Sequence, residues 1–502
     1  MPHALIILDG WGIAPASKGN AIAQARTPNF DYLWSHFPHT QLAASGSAVG
    51  LPAGRDGNSE AGHMNIGAGR VVEQDAVAVN KQIKSGTFFR NPALLNAIQH
   101  AQVRKTKLHL MGMLANRMSA HAYQDHLDAL LQLCERNNIK PYLHLFTDGR
   151  DAPPHEAIKL LKGLQDRCKI NQQIATIMGR SYAMDRNKHW DNTAKAYHAM
   201  VCGVGEQAES AEAAITRSYN RNETDEFIKP YIINSAGLIE SRDSIIFFNL
   251  RSDRARQITK TFVQPDFNKR NPGAFRRQKV LRHIKFITMT DFGPDLDHVL
   301  SAFPAADLND TLPIALSPLR QLYIAESEKY AHVTYFFNGG YDHAVNGEKW
   351  CKIPSPQNPD YTVVPAMSAE NITDHVLKTI KNNAYDFYVI NFANADMLGH
   401  TGNVAATIKG VEVIDEQLGR LWQVFKKSGI LFITADHGNA EEMLNLTTQE
   451  TDTEHSNYPV PFIITKPGVK LAKTGQLANI APTILKVLNI VKPKAMTSKA
   501  LC

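Results

Sequence analysis

The chain has 502 residues, 43% hydrophobic and 20% charged, an ordinary globular composition long enough for two to four folding units at roughly 150 residues each. Lys and Arg number 54 against 48 Asp and Glu, and the resulting +6 is too thin a surplus to indicate a nucleic-acid or anionic-membrane partner unless it is gathered in one place. The opening MPHALIILDG lacks a basic leader and no long apolar run follows, while Cys134, Cys168, Cys202, Cys351 and Cys502 form no C-x-x-C, so a cytoplasmic protein without a membrane span is expected.

In chain order, short apolar runs end abruptly in polar residues. ALIIL (4–8) stops at Asp9. YLHLF (142–146) is followed by Arg150 and Asp151, IATIM (174–178) by Arg180 and Arg186, and IIFFNL (245–250) by Arg251 and Arg254. FYVINF (387–392) leads to Asp396, and LFITA (431–435) leads to Asp436 and His437. Runs of this kind, without period-two alternation, predict strands buried on both faces of a parallel sheet.

A helix is expected after Ser368, a plausible N-cap, with Ile372, Val376, Leu377 and Ile380 on one face. From Val404 to Lys427 apolar residues recur every three or four positions, with Lys426 and Lys427 at the negative helix end and Gly429 as a stop. Strand, long helix and strand in the last third predict a βαβ unit. The fold class is therefore α/β, organised as two α/β domains that face each other. Strand ends in one carry carboxylates and histidines for cations, and strand ends in the other carry arginines for anions.

Three constellations carry chemistry. Asp396 and His400 stand four apart after one strand, Asp436 and His437 are adjacent after the next, and His455 and Asp9 join them. Any one of these alone is most simply a solvated loop residue, but together they suit two ions of the Mn²⁺, Zn²⁺ or Fe²⁺ type. The second is DGNSEAGH (56–63), expected as a tight, accessible loop presenting Ser59. No G-x-S-x-G elbow surrounds it, so a hydrolase triad is not indicated, and metal activation is the alternative. From spacing alone Ser59 is more readily a turn residue than a nucleophile. The third is Arg150, Asp151, Arg180, Arg186, Arg251, Arg254 and Lys329, a group matched to a small, multiply anionic ligand rather than a polymer. No Walker-type loop or strand-anchored G-x-G-x-x-G appears.

LIILDGWG (5–12), DGNSEAGHMNIGAGR (56–70), DGRDAPP (148–154), GRSYAMDR (179–186), FFNLRSDRA (247–255), ESEKYAHVTYFFNGG (326–340), NFANADMLGHTGN (391–403), TADHGNAEE (434–442) and EHSNYPVPFI (454–463) resemble the cofactor-independent phosphoglycerate mutase family of the alkaline phosphatase superfamily, nearly end to end and in order. The resemblance implies an alkaline-phosphatase-like α/β domain at 1–74 and 302–502, with a transferase-like, substrate-binding α/β domain inserted at 75–301. It implies two Mn²⁺, other divalent ions being possible, one held by Asp396, His400 and His455 and one by Asp9, Ser59, Asp436 and His437. Ser59 becomes the transiently phosphorylated nucleophile. Asp151 becomes the general acid/base with His121 assisting. His121, Arg150, Asp151, Arg180, Arg186, Arg251, Arg254 and Lys329 bind 2- or 3-phosphoglycerate. A monomer without nucleic-acid or membrane partners is expected, with closure about hinges at 74/75 and 301/302 keeping water from the phosphoserine. Around 115–123 the chain departs from the family pattern, with Asn116 for Asp and Tyr123 for a second His, which leaves His121 as the choice over His126. A metal-dependent phosphomonoesterase and a catalytically idle metal-binding protein remain open at this point.

Overall fold

The computed structural model describes residues 2–502 apart from 117–118, 169–172, 294, 305–307, 359 and 428. The chain divides into two compact units, Met1–Gln74 with Asp307–Cys502 and Asp75–Ala306. The return crossing lies beyond the expected 301/302 because residues 302 and 303 still belong to the second unit. The Ala302 and Phe303 amides bond to the carbonyls of Thr288 and Met289, both at 2.8 Å, and the Phe303 ring stacks on Phe88.

In the first unit, the described residues form an eight-stranded sheet. At its centre Gln321–Glu326, Phe387–Phe392, His3–Leu8 and Leu431–Thr434 lie side by side and parallel. These strands are buried almost throughout. Helices pack on them, so both faces demand apolar side chains and period-two alternation never appears. The long helix is Val404–Phe425, capped by the Asn403 side chain accepting from the Ala406 amide, with Val411, Ile414, Leu418, Leu421 and Phe425 fully buried. It does not join neighbours: His3–Leu8 sits between the two strands that it connects, so the simple βαβ unit expected from the sequence is split by the first strand of the chain. The helix Ala369–Lys381 starts where expected, but the Ser368 hydroxyl donates to the Pro354 carbonyl and does not cap it.

The second unit has its own apolar core and its own eight-stranded sheet among the described residues. Ser244–Phe247, Leu108–Met113, Tyr142–Thr147 and Ile174–Gly179 run parallel at its centre. No helix among the described residues is long and apolar enough to cross a membrane.

Two features of these units generate predictions. Gly10, at the end of the first strand, has φ +74, and a Cβ there would stand 2.6 Å from Asp396 Cα. Only glycine allows the two strand ends to approach this closely. Gly10→Ala should lower the stability of the chain by about 2 kcal/mol or more, read from the denaturant midpoint, through backbone strain and the displacement of Asp396. The second unit encloses His109, His126 and His144, all held below the usual imidazole range by burial, His126 at about 4. An unfolded histidine takes up a proton near pH 6.5, so these groups cost nothing above about that value and destabilise the fold as pH drops toward about 4. Thermal melts should fall over that window, and His126→Gln should flatten part of the fall.

Candidate active site

Three neighbouring parallel strand ends of the first unit each deliver one carboxylate. Asp9 follows the central strand, Asp396 lies in the short helix Asn394–Gly399 after one neighbour, and Asp436 follows the other. All three are buried. One oxygen of each is anchored. Asp9 Oδ2 accepts from Asn391 Nδ2 at 2.7 Å, Asp396 Oδ1 from Asn439 Nδ2 at 3.0 Å, and Asp436 Oδ1 from the amides of His437 and Gly10 at 3.1 and 3.3 Å. Asp436 Oδ2 is buried and makes no hydrogen bond among the described residues, its close neighbour being His63 Nδ1 at 3.2 Å.

Ser59 is not in a loop. It is the first residue of the helix Ser59–Ala68, whose Asn58 cap accepts from the Ala61 amide at 2.8 Å, and only 6% of its surface is exposed. The glycines that suggested a turn serve close packing instead: a Cβ on Gly62 would stand 2.5 Å from the Asp436 carbonyl. The positive end of the helix therefore points at the serine oxygen, where negative charge is stabilised. Ser59 Oγ lies 2.9 Å from His437 Nε2 and 3.4 Å from Asp9 Oδ1.

Lys329, grouped by its charge with the arginines, lies in the first unit, in the turn Ser327–Lys329 after the strand Gln321–Glu326, and is buried among the carboxylates. Its Nζ donates to Ser59 Oγ at 2.8 Å and stands 2.6 Å from both Asp9 Oδ1 and Asp396 Oδ2. Burial would discharge the amine, but Asp396, Asp9 and Asp436 outweigh it and hold its pKa above the usual lysine range.

Each imidazole is oriented by a backbone carbonyl at Nδ1: His400 by Thr453, His455 by Gly57 and His437 by Gly438, at 2.8, 2.8 and 3.2 Å. This leaves every Nε2 as the atom that faces inward. The Nε2 atoms of His400 and His455 approach to 3.0 Å and lie 3.4 and 3.2 Å from Asp396 Oδ1. Two imidazole nitrogens converge here on a carboxylate that raises the pKa of both rings, so the place favours positive charge, whether a proton or a metal ion. His437 Nε2 stands 3.4 Å from Asp436 Oδ2 and 3.6 Å from Asp9 Oδ1, a second convergence next to Ser59. Burial, then the Asp436 charge, pushes the Asp9 carboxyl up to about 6, so the pair resists holding two charges without a cation. Burial likewise keeps His437 at about 4, so its ring is neutral and able to ligate at neutral pH. Divalent metal ions fit this donor set of carboxylate oxygen and imidazole nitrogen, with one oxygen of Asp436 left unpaired.

The second unit assembles the arginines expected to bind an anion, with Asp151 and His121, at the ends of its own strands. Arg180 opens the short helix Arg180–Ala183 after Ile174–Gly179. It donates to Asp148 and, at 2.9 Å, to Asp151 Oδ2, and its Nη2 donates to His121 Nε2 at 3.0 Å. That donation requires a lone pair on Nε2, in keeping with burial and then Arg180 lowering the His121 pKa to about 4. Burial opposes ionisation of Asp151, but its hydrogen bond from Arg180 prevails and holds the carboxyl below its ordinary value. Asp253 accepts from Arg186 at 2.6 Å and from Arg251 at 3.0 Å. Arg254 is lowered by burial and then by the charges of Arg180, Arg186 and Arg150, the sign of crowded guanidiniums. Arg150 is half exposed and 3.7 Å from Glu226. His126 belongs elsewhere, on the inner face of the helix Gln124–Arg136 with Nε2 on Asn80. Within the divergent 115–123 stretch, Arg117 and Met118 lie outside the described residues.

The sequence reading missed the residues that anchor these groups: Asn391, Asn439, Asp148, Asp253 and His63. His63 lies four residues after Ser59, so a helical reading of 59–68 would have placed both on one face. The buried amide in FYVINF was a signal too, since Asn inside an apolar strand needs partners.

The pattern of the metalloenzyme superfamily matches residues 1–492. A 2,3-bisphosphoglycerate-independent phosphoglycerate mutase 2 from Methanosarcina barkeri (strain Fusaro / DSM 804) is 47% identical over 523 aligned positions, covering 100% of this chain and 98% of the relative. The 2,3-bisphosphoglycerate-independent phosphoglycerate mutase of Clostridium perfringens (strain SM101 / Type A) is 46% identical over 513, covering 100% and 99%. Among solved structures, Leishmania mexicana phosphoglycerate mutase at low cobalt concentration is similar with a TM-score of 0.71 at 29% identity, covering 100% of this chain and 97% of that one. With near-half identity along its whole length, the chain belongs to the 2,3-bisphosphoglycerate-independent phosphoglycerate mutases, isomerases of the metalloenzyme superfamily.

Proposed function

We propose that the chain interconverts 3-phosphoglycerate and 2-phosphoglycerate through a phosphoserine on Ser59, with two divalent cations, Mn²⁺ foremost, and without free 2,3-bisphosphoglycerate. The observation that supports this reading is the setting of Ser59 Oγ: a helix N-terminus behind it, Lys329 Nζ at 2.8 Å and His437 Nε2 at 2.9 Å. In this reading Asp396, His400 and His455 hold one cation, and Asp9, Asp436, His437 and Ser59 hold the other. When bound, such cations supply Lewis acidity that favours the serine alkoxide and offsets phosphate charge.

Entering as the alkoxide, Ser59 Oγ attacks the phosphorus of 3-phosphoglycerate in line, its bond to phosphorus forming as the bond to the substrate oxygen breaks, and it is restored as the alkoxide when the phosphoryl group leaves it. Lys329, permanently charged beside Oγ, and the helix dipole offset the anion that develops there. Arg150, Arg180, Arg186, Arg251 and Arg254 bind the carboxylate and phosphate charges of the phosphoglycerate, about −3 in sum. The other glycerate hydroxyl then attacks the phosphoserine. Over the cycle one proton passes from one glycerate oxygen to the other, and Asp151 with His121 holds and returns it. The 75–306 unit is in this reading the substrate-binding transferase and the remainder the phosphatase-like metal-binding domain. A monomeric, cytoplasmic enzyme completes the reading.

Two measurements test it. Ser59→Ala should lower kcat by on the order of 10⁴-fold or more while the circular-dichroism spectrum stays unchanged, and wild-type-like turnover would remove the relay. Chelation should abolish isomerisation and added Mn²⁺ should restore it, with no stimulation by 2,3-bisphosphoglycerate. Strict dependence on the bisphosphate would refute the assignment.

A further inference from the structure

Asn391 lies in the strand Phe387–Phe392, paired in register with Ile7, and its side chain is fully buried. Its Nδ2 is 2.7 Å from Asp9 Oδ2 and 3.0 Å from His63 Nε2. The carboxylate oxygen can only accept, so the amide nitrogen must face Asp9, and this decides the orientation of the amide. Both hydrogens of that nitrogen are then committed, one to Asp9 and one to His63. His63 Nε2 must therefore present its lone pair.

The proton of the His63 ring is thereby assigned to Nδ1. That atom lies 2.9 Å from the carbonyl of Ser59 and 3.2 Å from Asp436 Oδ2. A protonated Nδ1 donates and cannot ligate a cation. This distinction matters because Asp9, His63 and Asp436 cluster as tightly as a metal triad would. The ring is itself held, with the His332 ring behind it at 5.6 Å between centroids. The arrangement also carries a cost, since Asn391 Oδ1 is buried without a hydrogen-bond donor among the described residues. A buried amide that leaves its oxygen unpaired is retained for what its nitrogen does.

We propose that Asn391 and His63 are positioning residues. They form a directed chain of hydrogen bonds from Asp9 through Asn391 to His63 and on to the Ser59 carbonyl, with Asp436 Oδ2 3.2 Å from the same Nδ1, which sets the spacing of the nucleophile and the two carboxylates of the cation site beside it. Neither touches the substrate, and neither is a ligand. This rests on the reading of that site given under the proposed function. The chain ends at the Ser59-side cation site; the anchors of the other, Asn439 on Asp396 and carbonyls on His400 and His455, are separate.

The test uses the full chain and Mn²⁺ as the probe. In Asn391→Leu and His63→Phe, isothermal titration should show one of two ions weakened by about 10–100-fold and the other unchanged. His63→Gln, whose amide oxygen can still accept from Asn391, should recover part of the loss. Wild-type affinity for both ions in folded variants would overturn the proposal, as would equal weakening of both. A second measurement does not depend on metal: ¹⁵N spectra of the metal-free wild-type chain, with the His63 signals assigned by their loss in His63→Gln, should show the Nδ1–H tautomer for this ring. The Nε2–H tautomer overturns the chain of bonds whatever the variants do. If wild-type protein binds no Mn²⁺ while the ring shows Nδ1–H, it is the cation-site reading that fails, and the hydrogen-bond chain stands.

Discussion

Everything in the first unit answers to one electrostatic constraint: three buried carboxylates at adjacent strand ends, with one buried lysine among them. Burying an unpaired charge costs several kcal/mol, and like charges in contact add to that cost. Lys329 and the neighbouring imidazoles hold Asp396 and Asp436 below the usual carboxylate range, whereas burial and then the Asp436 charge leave Asp9 pushed up. A site with this imbalance is built to receive cations. The same imbalance explains why the imidazoles are oriented with such care by carbonyls, because an Nε2 lone pair left to rotate would be lost to the nearest carboxylate as a proton donor.

Backbone packing makes the constraint possible. Glycine at position 10 lets the central strand end approach Asp396, and glycine at position 62 lets the serine helix approach Asp436. The helix then adds its own partial positive charge at Ser59, so this hydroxyl sits where a lysine, a helix terminus and a candidate cation site converge. The candidate site is thus gathered at the ends of central strands rather than on a long loop, where packing on both sides fixes the side chains.

The second unit solves the opposite problem. Its guanidiniums crowd one another, and Asp148, Asp151 and Asp253 neutralise only some of that charge while fixing the guanidinium planes. Residual positive charge on oriented forks suits a small polyanion. His121 accepts a hydrogen bond from Arg180 and so keeps its proton on the other nitrogen, a tautomer set by its neighbour rather than by pH.

Much of this was readable from the amino acids alone. Apolar runs without alternation specify buried parallel strands, because only a sheet covered on both faces removes the need for polar positions, and the polar residues that follow each run mark strand ends. The α/β class, the carboxylate and imidazole set and the arginines could therefore be named from local pattern. Strand order could not, since pairing joins segments hundreds of residues apart, and so the insertion of His3–Leu8 between the strands flanking the long helix stayed hidden. For the same reason Lys329 was grouped by its charge with the arginines, whereas packing places it among carboxylates. Ser59 looked like a loop residue because glycine is a poor helix former, yet close approach to Asp436 rewards glycine in that helix. Composition and spacing thus determined which chemical groups the chain possesses, and only the tertiary fold decided which of them meet, because hydrogen bonds and charges act over a few ångströms and not along the sequence.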